Sequence, residues 1–245
     1  MSKSDYYRKK LVALQDWDEF LLQESGLPGP RGNLELAQVA ADLGDAALFE
    51  RYLAYSADKA PTNSPYEFLA FCGVVGLGRL LAEGQIGWIE KIRQCASDPR
   101  WRMREGVAMA LQRLGDVDMD RLIQYMESWS AGNLLEQRAA AAALCEPRLL
   151  NNAEHSLAVL QILDGITARI KGIENRKNDE FIALRKGLGY CWSVAVAAAP
   201  VEGKKLLEEW LVEPDRDIRW IMQENLKKNR LIRLDAAWVE KWKAS

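Results

Sequence analysis

Asp98-Pro99-Arg100-Trp101-Arg102-Met103-Arg104 and Glu213-Pro214-Asp215-Arg216-Asp217-Ile218-Arg219 are two versions of one pattern. In each, an acid and a proline precede an apolar residue and an arginine. The proline stands five residues before the arginine both times, and a leucine, Leu111 or Leu226, stands seven residues after it. A proline fixes φ near the helical value and needs no hydrogen-bond acceptor, so it suits the opening of a helix. The apolar residue and the leucine then fall on one helical face. The same register occurring twice predicts an internal repeat of helical units.

Weaker copies place Arg138 before Leu144 and Cys145, and Arg185 before Trp192, so the successive arginine intervals are 34, 47 and 34 residues. Such intervals suit stacked helical hairpins, with one longer insertion between the second and third copies. Apolar residues keep helical spacing nearly everywhere, as in Leu122, Met126 and Trp129 or Ile218, Ile221, Met222 and Leu226. No stretch alternates as a half-buried strand does. Breaks rich in Gly, Pro, Asn or Asp fall at 26–33, 58–65, 97–100, 115–118, 130–133, 175–179 and 213–217. Roughly a dozen helices with short connectors are expected, arranged as antiparallel pairs. Upstream, 32–53 and 66–81 read as one or two further hairpins that lack the arginine.

An acid, often followed by proline, with an arginine six residues on and a β-branched or long apolar residue before that arginine, is the pattern of HEAT repeats. This chain resembles them in Asp98/Arg104, Asp179/Arg185 and Glu213/Arg219. Arg138 departs from the pattern, because Gly132 stands where the acid belongs. The tail from Arg219 to Leu231 is similar to the closing segment of prokaryotic HEAT-like proteins. The resemblance implies an all-α fold, a right-handed superhelical α-α solenoid of HEAT-like hairpins forming a single domain over 1–245. Within it, 1–84 would be divergent hairpins, 85–235 the repeats and 236–245 a C-terminal cap. It also implies that the acid and the arginine hydrogen-bond within and between neighbouring repeats.

Composition narrows the function. With 49% hydrophobic residues, the 245-residue chain has ample material for a continuous core. Lys plus Arg is 33 against 35 for Asp plus Glu, a net charge of −2, which predicts no general attraction to nucleic acid or anionic membrane. Cys72, Cys95, Cys145 and Cys191 lie 23, 50 and 46 residues apart, without metal-ligand or redox spacing, and read as reduced core thiols. The polar N-terminus lacks the apolar segment of a secretory signal. The most apolar run, 187–200, is too short for a membrane span. A cytoplasmic protein with no membrane contact is expected.

No enzymatic centre is found. His155 is the only histidine and reads as a surface or capping residue beside Asn151 and Asn152. Gly73, Gly76 and Gly78 have neither Rossmann nor phosphate-loop spacing, and close approach of two helices explains them better. Gly203-Lys204-Lys205 reads as a helix start. No cofactor and no metal site are expected.

The binding candidates are Trp101, Arg104, Arg138, Arg185, Arg219 and Trp220. The arginines form either a structural ladder with their acids or a row of contacts for phosphate or carboxylate. Two basic and aromatic patches arise, one from Arg100, Arg102, Arg104 and Arg113 with Trp101, the other from Arg216, Arg219, Lys227, Lys228, Arg230 and Arg233 with Trp220. The nine tryptophans should mostly fill space between hairpins, with one or two exposed as binding anchors. A more distant similarity, in size, helical repetition and tryptophan content, is to HEAT-like DNA glycosylases that excise alkylated bases. Their catalytic motif is not found here: Asp16-Trp17-Asp18 is only superficially like it and lies near the N-terminus. The reading is a non-enzymatic scaffold that binds a protein or peptide partner on a concave surface. The alternative is a nucleic-acid binder or glycosylase.

Overall fold

In the computed structural model, which describes residues 2–243, the chain is all-helical, with fifteen α-helices, three single 3-10 turns and no strand among the described residues. The helices form two compact units, Met1–Val117 and Asp118–Ser245. Residues 244–245 of the expected C-terminal cap lie outside the described residues; 236–243 of that cap form a helix.

The first unit contains α1 (Lys3–Ala13), α2 (Asp18–Glu24), α3 (Leu34–Leu43), α4 (Ala46–Leu53), α5 (Pro65–Ala82), α6 (Ile89–Ala96) and α7 (Trp101–Val117). The second contains α8 (Met119–Ser130), α9 (Leu134–Leu144), α10 (Ala153–Arg169), α11 (Asp179–Ala198), α12 (Pro200–Leu211), α13 (Arg216–Leu226), α14 (Asn229–Leu234) and α15 (Ala236–Lys243). Short polar residues start many of them. Asn33, Asp45, Ser64, Asp118, Asn133, Asn152, Asn178 and Asp215 each accept a backbone N–H of the first turn, satisfying donors that the helix itself leaves unpaired. One expected break is displaced. α7 runs through the buried Gly115 to Val117, so Asp118 alone separates it from α8.

The two copies of the sequence pattern start their helices at equivalent places, Trp101 in α7 and Arg216 in α13. They also bury equivalent residues: Met103 with Ile218, Val107 with Met222, and Leu111 with Leu226. In the first unit α5 lies between α3 and α7, with α4 also packed on it. In the second, α11 lies between α9 and α13, while α10 packs between α8 and α12. Each unit is therefore built of helices packed side by side around a central one.

α5 is the core helix of its unit. By length and apolar composition it could cross a membrane, more so than the 187–200 run, but 78% of it is buried inside the unit. Its glycines set the packing distance. A Cβ on Gly76 would sit 2.3 Å from the Phe49 ring, and one on Gly78 would sit 2.3 Å from the Ala110 Cα. The tryptophans behave largely as space-fillers. Trp129 and Trp192 are fully buried, and the Trp192 indole N–H donates to the Thr167 hydroxyl at 3.0 Å. Trp101, by contrast, is 45% exposed. All four cysteines are free, and Cys72, Cys145 and Cys191 are buried. Burial, and then the neighbouring Cys191 thiol, push the Cys145 thiol well up.

Candidate functional site

The six residues singled out in the sequence fall into separate environments. Trp101 and Arg104 lie at the start of α7. The Trp101 ring carries the Arg102 guanidinium 4.4 Å from its centroid, and Arg104 donates to the main-chain carbonyls of Asp98 (2.8 Å) and Pro99 (2.9 Å). Arg138, on α9, runs against Gly187 of α11. Arg185 donates to Asp217 at 2.5 Å and stacks 4.3 Å from the centroid of Trp220, whose ring also rests near Gly189. Arg219 is exposed.

The six-residue acid and arginine pairing is not how these side chains meet. The Asp98 carboxylate is held by Arg100 rather than by Arg104, and Glu213 pairs with Lys171. The ion pairs between helices sit two residues earlier in the repeat. At that position Arg102 binds Glu67 of α5 at 3.1 Å, and its equivalent Asp217 binds Arg185 of α11. The two pairs have opposite polarity at one register position.

This geometry also removes the first of the two basic patches from the surface. Arg100 and Arg102 are 3% and 6% exposed, and their guanidinium groups bind carbonyls or carboxylates inside the unit. Arg113 binds Asp42 and Gln38. Asp16-Trp17-Asp18 is likewise structural. Arg51 grips Asp18 with two nitrogens, Tyr52 donates to it at 2.8 Å, and the Trp17 indole donates to the Leu11 carbonyl. Burial works to raise the Asp18 carboxyl, and those hydrogen bonds outweigh it, so Asp18 titrates below its ordinary value. A carboxylate held in this way is a poor proton acceptor. The His155 backbone N–H donates to the Asn152 side chain that caps α10, and its Nε2 lies 2.9 Å from Asp120.

The second patch persists and has a shape. After Leu226 the backbone leaves the helical region at Lys228 (ψ 128°), and α14 restarts at Asn229. This break places Lys227, Lys228, Asn229, Arg230 and Arg233 beside Tyr190 of α11, where they line an open recess of about 460 Å³. Tyr190 is 45% exposed. Arg230 lies 4.7 Å from the ring centroid and donates to the phenol oxygen at 2.5 Å; the Lys228 ammonium lies 5.9 Å from the same centroid. Lys227 pairs with Glu224, whereas Lys228, Arg230 and Arg233 have no carboxylate partner among the described residues. No acidic residue lines the recess.

Tyr190 is positioned by a residue from the neighbouring helix. Asn225 of α13 is fully buried, accepts the Ser193 N–H of α11 at 2.7 Å, and donates to the Leu188 carbonyl at 2.8 Å. Its amide thus enters the backbone hydrogen-bonding of α11 on both sides of Tyr190, a substitution that locally fixes the helix. The Ser193 hydroxyl donates to the Tyr190 carbonyl. Sequence reasoning found the cations but missed Tyr190 and Asn225, which carry no motif of their own. The one available signal is that a buried-register position of the repeat, Ala110 in one copy, is Asn225 in the other.

No protein-family profile matches the sequence, and neither a curated protein nor a solved structure is significantly similar to it.

Proposed function

We propose that this protein is a non-enzymatic binding module of the HEAT type, a right-handed α-α solenoid of the cytoplasm that grips an extended protein or peptide partner. The observation that supports this reading is the contrast between its two basic patches. Arg100 and Arg102, at the start of α7, are locked into internal contacts, while Lys228, Arg230 and Arg233 stand around an exposed tyrosine without carboxylate partners among the described residues. Arginine beside an aromatic ring is a pairing on which binding energy concentrates. The layer of α9, α11 and α13 ends at this recess, so a partner laid along the layer would meet it with an acidic group.

A second reading is a single-stranded nucleic-acid binder, favoured by the guanidinium and ammonium groups flanking the Tyr190 ring, since such binders combine basic grooves with stacking platforms. A tagged pull-down with and without nuclease separates the two. A protein retained in stoichiometric amount after nuclease, and lost from the Lys228→Gln/Arg230→Gln/Arg233→Gln variant, is the outcome expected. Recovery of nucleic acid, with proteins released on nuclease treatment, overturns the first reading in favour of the second.

A further inference from the structure

We propose that the recess around Tyr190 is a site for a phosphate monoester, its phosphoryl oxygens taken by Arg230, Arg233 and Lys228 and the attached group lying on the tyrosine ring. This deepens the binding-module reading and depends on it for the source of the phosphate.

Charge is the first argument. Four of the six lining residues are cations, none is an acid, and only Lys227 has a carboxylate partner. Like charges gathered this closely repel one another, and a multiply charged anion relieves that repulsion in a way no neutral ligand can.

Donor geometry is the second. One guanidinium of this protein, that of Arg176, serves two carboxylates, Asp215 at 2.7 Å and Asp217 at 3.2 Å. Three cations without a carboxylate partner among the described residues match the charge of a phosphate monoester, which approaches −2 at neutral pH. Arg230 commits one N–H to Tyr190, leaving its remaining donors for a forked contact with phosphate oxygens.

Size is the third. A recess of about 460 Å³ has the scale of a compact ligand site. It accommodates a phosphoryl group and the ring or short chain that bears it, whereas a polynucleotide would need a charged track. Tyr190 gives the attached group an apolar wall with cations at its margin. The same phosphoryl chemistry is presented by a phosphorylated side chain of a partner protein and by a free phosphate ester.

The test is isothermal titration calorimetry of the full chain at physiological salt. The probes are O-phosphotyrosine, inorganic pyrophosphate, a phosphotyrosine peptide with its unphosphorylated form, and a thymidine oligonucleotide. Saturable binding of phosphotyrosine and pyrophosphate is expected, weakened about tenfold or more by Arg230→Gln or Arg233→Gln. Tyr190→Leu should weaken phosphotyrosine and spare pyrophosphate. Lys177→Gln, at an exposed cation outside the recess, should change nothing. Far-UV circular dichroism checks that each variant is folded.

Tighter binding of the phosphopeptide than of free phosphotyrosine supports the proposal with a partner protein as the source; equal affinity supports it with a free ester. Absence of saturable phosphate binding overturns it, as does an equal loss in Lys177→Gln, which would show a diffuse field rather than a site. An oligonucleotide that binds more tightly than every phosphate ester also overturns it. If phosphate binds but the pull-down retains no partner, the site stands and the binding-module reading fails. If the triple variant keeps its partner while phosphate does not bind, the reading stands and the site fails.

Discussion

Replacing Arg102 by methionine should destabilise the first unit far more than replacing Arg104, although Arg104 is the arginine of the repeat pattern. Arg102 and Glu67 have side chains 7% and 0% exposed, with nitrogen and oxygen 3.1 Å apart. Arg102 also donates to the Gly29 carbonyl at 2.7 Å and the Asn63 amide oxygen at 3.2 Å, tying the 26–33 connector to α5 and α7. Arg102→Met fills the volume but leaves the Glu67 charge buried with only the Asn63 N–H as donor. Removing one member of a buried pair costs about 3–5 kcal/mol. Arg104 is half-buried and hydrogen-bonds two carbonyls near the surface, so Arg104→Met should cost about 0.5–1.5 kcal/mol. In urea, with a slope of about 1–3 kcal/mol per molar, the Arg102 variant's transition should move down by about 2 M. Hydrogen exchange should locate the loss, with faster exchange in α5 and α7 and unchanged rates in α11 and α13. The double variant Arg102→Met/Glu67→Gln, which keeps an acceptor for Asn63, should recover much of the deficit. A loss below about 1 kcal/mol for Arg102→Met, or a double variant as damaged as the sum of the two singles, would refute the reasoning.

Three further outcomes follow from the packing and the titrations. Gly78→Ala should lower stability by about 1–3 kcal/mol, despite the better helix propensity of alanine, because its Cβ would meet the Ala110 backbone; an unchanged thermal midpoint would show that α5 and α7 separate freely. Asn225→Ala should cost about 1–3 kcal/mol through the unpaired Ser193 N–H and Leu188 carbonyl, with faster exchange at Ser193; unaltered exchange there would mean that α11 closes its own ladder. For Asp215, burial acts to raise the pKa, and hydrogen bonds from Arg176 and from the backbone N–H groups of Ile218 and Asp217 outweigh it, so the net shift is below the ordinary 3.8. Its stabilisation is therefore fully present above that value and is lost as pH falls through the depressed folded value. Asp215→Asn keeps the helix cap but not the charge, so it should flatten the stability profile between neutral pH and the acid limb below 3.8; a profile parallel to the parent chain would sink this assignment.

Much of the helical architecture was legible in the sequence, because helix starts and buried faces depend on neighbours in the chain. The two patterned segments open α7 and α13 at matched residues and bury the same positions, as 3.6-residue periodicity dictates, with each proline just outside the helix. Interactions between helices were less legible. The sequence pattern drew attention to Arg104 and Arg219, yet the pair-forming position is two residues earlier, held by arginine in one copy and aspartate in the other. A rule written in residue types cannot recover a pair whose polarity reverses between copies, because what is preserved is the pairing of opposite charges across two helices.

The recess around Tyr190 was hidden for a related reason. Its cations were visible as a run, but a run of cations on a continuing helix would spread around the cylinder at 100° per residue and face several directions. The break at Lys228 prevents this. By restarting the helix at Asn229 it brings Arg230 over the ring that Lys228 approaches and leaves Arg233 lining the same recess. Tyr190 in turn lies between Leu188 and Ser193, where Asn225 enters the α11 backbone from α13. The helix that supplies the buried amide therefore ends in the break that supplies the cations. Displacing α13 against α11 would disturb both sides of the recess together, so its ligand affinity and the Asn225 contact should be lost in parallel. A variant that weakens Asn225 while sparing phosphate binding would break that link.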